Sequence, residues 1–113
     1  MKYDLEERVA KFGEAVIDFV KTLEKNTIND VLVRQLVRSA TSIGANYMEA
    51  NEASSKKDFR NKVHISKKES NEGKHWLRMI ARGNESKKKA CANLWKEAHE
   101  LTLILAAISR NSV

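Results

Sequence analysis

The chain of 113 residues has no proline, four glycines and one cysteine. Without proline and with little glycine, the usual breakers of long helices are missing, and Ala, Leu, Glu and Lys are plentiful, which favours an all-α fold. The lone Cys91 excludes an internal disulfide and a zinc site built from cysteines. It is typical of a reducing compartment, and we expect it to serve as a small core residue.

Long apolar runs are also missing. The N-terminus lacks the apolar segment of a signal peptide, and no stretch approaches the roughly 20 apolar residues of a membrane span. We therefore expect a cytoplasmic protein with no membrane partner. The chain length and a hydrophobic content of 42% predict a single domain over residues 1–113.

Apolar residues recur at alternating spacings of three and four in four segments, about residues 4–24, 30–53, 56–82 and 86–109. Thr27 with Asp30, or Asn29, is predicted to cap the second helix, and Ser55 with Asp58 the third. Four amphipathic helices with short connectors predict an antiparallel up-down-up-down four-helix bundle. The predicted core positions are Leu5, Val9, Phe12, Val16, Phe19, Leu23, Leu36, Ala40, Ile43, Tyr47, Ala50, Phe59, Val63, Ser66, Ser70, Gly73, Leu77, Cys91, Leu94, Ala98, Leu101, Leu105 and Ile108.

The second and third helices each carry a second stripe beside the apolar one. If the two helices are antiparallel about Ser54 and Ser55, Glu49 lies level with Lys62 and Arg38 with Glu72. We expect ion pairs at both ends and Ser and Asn hydrogen bonds between them, since a carboxylate leaving water needs compensation. The alternative is that the carboxylates stay in water. This structural polar stripe comprises Arg38, Ser42, Asn46, Glu49, Lys62, Glu69 and Glu72.

The net charge of +6 belongs to one segment. Residues 56–89 hold 12 Lys and Arg against 4 Asp and Glu, and the rest of the chain holds 9 against 11. Such asymmetry favours an anionic partner, nucleic acid first and an acidic protein or a membrane surface after it.

The third helix carries most of this charge. Four of its cations fall within about 40° of one another around the helix. We name these the basic arc: Arg60, Lys67, Lys74 and Arg78. With Lys56 and Lys57 they form the candidate nucleic-acid-binding site, which would contact phosphates. No stacking aromatic interleaves them, so base readout is not predicted, and a merely solvated face is the alternative.

Two short motifs are weak indications of a metal site or of catalysis. Glu72-x-x-His75 has the spacing of a di-iron bundle ligand pair but occurs once, and Arg60-x-x-x-His64 is one residue short of the Arg and His motif of HEPN-type ribonucleases. No glycine-rich phosphate loop, nucleophile elbow or zinc motif is present. We therefore expect no metal, no cofactor and no enzymatic activity.

The run Ser42-Ile43-Gly44-Ala45-Asn46-Tyr47-Met48-Glu49-Ala50, preceded by Arg38-Ser39 and followed by Asp58-Phe59, resembles the helix 2 signature of the bacterial 23S rRNA-intervening-sequence proteins. Lys68-Glu69, Glu72 and Trp76-Leu77 resemble the family's helix 3 signature, in which His75 replaces the usual Tyr. The resemblance spans nearly the whole chain.

The resemblance implies a four-helix bundle that assembles into a ring-shaped homopentamer. The molecular role of most members is unassigned, and a related group, the accessory proteins of diversity-generating retroelements, comprises basic pentamers that bind a reverse transcriptase and nucleic acid. Apolar residues outside the core stripes fit a ring, and the candidate subunit interface is Trp76, Trp95 and Leu103. A bundle core wide enough for both tryptophans is the alternative.

Taken together, these features favour a non-enzymatic, ring-forming protein that binds structured RNA or an RNA–protein complex. The alternative is a scaffold or accessory subunit whose basic face docks an acidic protein.

Overall fold

The computed structural model describes residues 4–111, which form four helices. They are α1 (Leu5–Val20), α2 (Thr27–Asn51), α3 (Lys56–Gly83) and α4 (Lys88–Asn111), with one turn of 3-10 helix over Glu85–Lys87. The helices pack as an all-α four-helix bundle, which confirms the predicted fold class. The bundle is 44 Å long, close to the roughly 42 Å expected of α3 alone at about 1.5 Å per residue.

Side-chain caps set the starts of the first three helices. Asp4 accepts a hydrogen bond from the backbone N–H of Glu7 at 3.0 Å, and Ser55 accepts one from Asp58 at 3.0 Å, as predicted for the third helix. The prediction for the second helix was wrong. Asn26 is its cap, with an extended backbone and a 2.8 Å bond from the N–H of Asn29, so α2 begins at Thr27.

Two other boundaries differ from the sequence pattern. Helix α1 ends at Val20 rather than near residue 24, although Leu23 still packs into the core from the turn that follows. Helix α4 begins at Lys88 rather than near residue 86 because the 3-10 turn takes up the preceding residues. Apolar periodicity continues through both turns, so it cannot mark where the regular helix stops.

The core runs along the bundle axis, and α3 is its central element. Helix α3 packs extensively on α2 and α4, whereas α1 packs on α2 and barely meets α4. The predicted core positions are buried, apart from Tyr47, Phe59, Leu94 and Ile108, which pack against the core while partly exposed. Ile80, outside the predicted stripe, is fully buried as well.

Two asparagines lock one end of the bundle. Asn29, buried at the start of α2, donates to Oδ1 of Asn84 at 3.0 Å, and Asn84 donates back to Oδ1 of Asn29 at 2.8 Å. Asn29 also donates to the carbonyl oxygen of Glu24, and Asn84 to that of Ile80. The amide pair therefore ties the α1–α2 connection to the α3–α4 connection. Its polar groups are satisfied, as burial requires.

Across the part of the chain that the structure describes, no helix is both long enough and apolar enough to cross a membrane.

Candidate nucleic-acid interface

Helix α3 presents different surroundings around its circumference. Its inward stripe, including Val63, Ser70 and Leu77, is buried in the core. One flank of the helix meets α2 and the other meets α4; we name them the α2 flank and the α4 flank. The remaining surface faces solvent, and we name it the outer face.

Ion pairs neutralise the α2 flank. Arg38 of α2 donates from Nη1 to both carboxylate oxygens of Glu69 at 3.2 Å, and from Nη2 to Oε1 of Glu72. At the other end, Nζ of Lys62 lies 3.1 Å from Oε1 of Glu49. Both pairs occupy the positions that the antiparallel register predicts.

Burial differs between these pairs. The Glu69 side chain is only 18% exposed, so its charge depends on Arg38 for compensation. The Glu49 side chain is 57% exposed and stays largely in water, as the alternative interpretation of the stripe expected. An exposed pair of this kind contributes roughly 0–1 kcal/mol.

The hydrogen bond that crosses between these ion pairs comes from an unexpected residue. Ser66, predicted as an apolar-stripe position, donates from its buried hydroxyl to the carbonyl oxygen of Ile43 at 2.7 Å. Asn46 instead donates to the carbonyl oxygen of Ser42 on its own helix. Within residues 4–111, neither Ser42 nor Asn46 bonds across to the third helix, so the predicted crossing bonds were wrong for these two residues. The Asn46 amide is satisfied within its own helix instead.

The basic arc does not form one open face. Arg60, Lys67 and Lys74 lie half-buried on the α4 flank, and only Arg78 is exposed. Nε of Arg60 is buried without a hydrogen-bond partner. Nζ of Lys74 lies 3.1 Å from Nδ1 of His99 and 5.2 Å from the ring centroid of Trp95, both on α4.

Most of the exposed cations of α3 lie farther around the helix than the basic arc. The outer face carries Lys57, Lys68, Arg78 and Arg82 as exposed side chains, with His64 and His75 among them. Within residues 4–111, no carboxylate oxygen lies within 4.0 Å of any of these four cations. Lys56 is also exposed at the start of α3. Within residues 4–111, the outer face therefore carries four exposed cations that have no carboxylate partner.

The three candidate interface residues do not come together. Trp76 packs against the core, and its indole N–H donates to Oε1 of Glu72 at 3.0 Å, which puts it towards the α2 flank. Trp95 lies beside Lys74 on the other side of α3. Leu103, which is 56% exposed, is two turns farther along α4 than Trp95 and about 80° around it.

Glu72 and His75, which have the spacing of a di-iron ligand pair, contact other side chains of the bundle. Glu72 is engaged by Arg38 and Trp76, and His75 is exposed with its ring edge against Trp76 at 4.9 Å between centroids. Among the described residues, no three His, Cys, Asp or Glu side chains are grouped so that they could hold a metal ion. Burial raises the pKa of the Cys91 thiol, which lowers its thiolate fraction and its reactivity at neutral pH.

These features define an all-α bundle protein with one neutralised and one basic side of its central helix. The sequence matches the family model of the 23S rRNA-intervening sequence protein over residues 2–107, and the chain belongs to that family. No curated protein matches it. It is similar to a protein of unknown function from the S23 ribosomal protein family of Bacteroides thetaiotaomicron VPI-5482, whose crystal structure superposes with a TM-score of 0.84. The two share 27% identity over 96% of this chain and 100% of the other.

Proposed function

We propose that the protein is a non-enzymatic, ring-forming nucleic-acid-binding protein of the cytoplasm, acting on structured RNA or an RNA–protein complex. The outer face of α3 makes the contact. The observation that carries this proposal is a set of exposed cations that have no carboxylate partner within residues 4–111, namely Lys57, Lys68, Arg78 and Arg82.

The arrangement of these cations supports phosphate binding. Lys57 and Arg82 are 25 residues apart on one helix, which separates them by about 37 Å at 1.5 Å per residue. A row of this length along the helix spans several phosphates of an RNA strand or groove. Lys and Arg on such a row bind phosphate oxygens without reading sequence, and their affinity falls with added salt.

Assembly into a homopentameric ring belongs to the proposal because the family resemblance implies it. Exposed apolar side chains supply surface for subunit contacts: Leu103 on α4, Met48 on α2 and Ile17 on α1. A ring repeats the outer face on every subunit, so a long RNA can bind several copies at once. Light scattering of the protein as it elutes from a size-exclusion column gives the subunit number. A monomer would contradict the ring.

The test of RNA binding is fluorescence anisotropy with a labelled RNA hairpin at low and physiological salt. One variant changes Lys57, Lys68, Arg78 and Arg82 to Glu, which avoids the half-buried Arg60 and Lys74. The matched control changes four exposed cations outside the outer face to Glu: Lys11, Lys25, Arg34 and Lys96. Each replacement changes the charge by two, so both variants carry a net charge of −2 instead of +6.

We expect the native protein and the control to bind the hairpin, and the outer-face variant to lose binding while its circular dichroism stays native. The labelled RNA should stay intact throughout, since no cleavage is proposed. Equal loss in both variants would mean that net charge alone drives binding. If the native protein does not bind at low salt, the outer face is solvated or docks an acidic protein instead.

A further inference from the structure

Three side chains form a mixed cationic and aromatic cluster where α3 meets α4. The indole ring of Trp95 stacks on the imidazole of His99, with centroids 5.1 Å apart and ring planes 17° from parallel. The ammonium group of Lys74 lies 5.2 Å from the Trp95 ring centroid and 3.1 Å from Nδ1 of His99. An ammonium group only donates, so Nδ1 of His99 is the acceptor in this contact.

The cluster holds the indole in place before any ligand arrives. Trp95 and His99 are one turn apart on α4, and Lys74 approaches both from α3. Nearby, the hydroxyls of Ser70 and Thr102 lie 2.7 Å apart and join the same two helices. An aromatic side chain that is already ordered loses little conformational entropy on binding.

Trp95 and Trp76 differ in their exposure and in the hydrogen bonding of the indole N–H. Trp76 packs against the core and donates its indole N–H to Glu72. Trp95 is 39% exposed, and within the described residues its indole N–H has no acceptor. A ring that is 39% exposed and lies beside an ammonium group has the features of a stacking surface rather than of a core residue.

Trp95 also lies next to the outer face. The Ser70–Thr102 contact sets an antiparallel register in which Arg78 of α3 is level with residue 94, one position from Trp95. Arg78 is exposed and has no carboxylate partner within the described ranges. No aromatic residue of α3 is interleaved with the basic arc, and Trp95 of α4 supplies an aromatic ring beside it.

We propose that Trp95 is a stacking platform for an unpaired nucleobase, with Lys74 and Arg78 holding the adjoining phosphates. The inference rests on the proposed function and specifies its ligand as RNA with unpaired nucleotides in a loop or bulge. Stacking on an aromatic ring tolerates any base, because every base has a π face, so the platform distinguishes unpaired from paired RNA rather than one sequence from another.

The test compares two labelled hairpins with the same stem and the same number of phosphates. One has an unpaired loop with bases, and the other has a loop of abasic ribose. From the range of base–aromatic stacking energies, we expect the native protein to prefer the first by about fivefold or more. The variant Trp95→Ala should lose this preference and still bind the abasic hairpin as the native protein does. Trp95→Phe should keep most of this preference, and Asn93→Ala, at an exposed position of the same helix, should keep all of it.

A second readout uses Trp95 emission in a Trp76→Phe background, where stacking on a base quenches fluorescence and the abasic loop does not. The proposal is overturned if Trp95→Ala keeps the native preference, if the native protein has none, or if Trp95→Ala changes the subunit number by light scattering, since Trp95 would then be a subunit contact. Salt-sensitive binding of both hairpins without preference would overturn the platform and leave the proposed function standing. Absence of binding to either hairpin would overturn both.

Discussion

Within the described part of the chain, charged side chains are paired on the α2 flank of α3 and unpaired on the outer face of the same helix. On the α2 flank, Glu69 and Glu72 are held by Arg38, and Lys62 is paired with Glu49. On the outer face, Lys57, Lys68, Arg78 and Arg82 are exposed with no carboxylate partner in residues 4–111. Over this range, the charges of the α2 flank are thus paired, whereas the four cations of the outer face are not.

The difference predicts a stabilising role for the α2 flank and a binding role for the outer face. Charges that lose water when two helices pack need partners, and the partly buried carboxylate of Glu69 has one. Cations that stay in water need none for stability, and an unpaired cation keeps its full attraction for a phosphate. Substitutions on the α2 flank should therefore change stability, and substitutions on the outer face should change binding.

The largest effect on stability is expected for Arg38→Ala. It leaves the carboxylate of Glu69, 18% exposed, without its cation, and we expect the free energy of unfolding to fall by about 1–2 kcal/mol. Urea denaturation followed by circular dichroism measures the loss.

A second substitution identifies the cause. Adding Glu69→Gln to Arg38→Ala removes the unpaired charge and should recover part of the stability, since a neutral amide is easier to bury. A double variant as unstable as Arg38→Ala alone would show that packing of the arginine stem, and not its charge, stabilises the α2 flank.

A smaller effect is expected for Ser66→Ala. The hydroxyl of Ser66 is fully buried and makes the 2.7 Å bond to Ile43 that crosses from α3 to α2, so its loss should cost about 1 kcal/mol. The exposed Ser86→Ala serves as the control and should stay within about 0.5 kcal/mol of native. Equal midpoints in urea for both variants would mean that the crossing bond adds nothing to helix packing.

Periodicity explains why much of the fold could be predicted from the sequence. Apolar spacing in the four segments depends only on local helical geometry, and antiparallel neighbours fix which residues lie level, so the pairs of Glu49 with Lys62 and Arg38 with Glu72 were predictable. The Ser55 cap was also predictable, because its partner lies three residues away.

Contacts between distant segments were not predictable in this way. The pairing of Asn29 with Asn84 joins two connectors far apart in the chain, and only the Asn at each turn gave any signal. The rotation of α3 against α4 half-buries Arg60, Lys67 and Lys74 and brings Trp95 beside Lys74. A helical-wheel projection of α3 gives neither the position of α4 nor that of its aromatic side chains. It therefore located the basic segment but not which of its cations are exposed to solvent.

The central claim, that the outer face contacts phosphates, is tested most directly by the salt dependence of hairpin binding. The logarithm of the affinity is plotted against the logarithm of salt concentration for the native protein, Arg78→Ala and Lys25→Ala, an exposed residue outside the outer face. Each lost phosphate contact should reduce the slope by roughly 0.7–0.9. We expect Arg78→Ala to show that reduction with unchanged stability and Lys25→Ala to match the native slope; equal slopes for all three proteins would contradict the account.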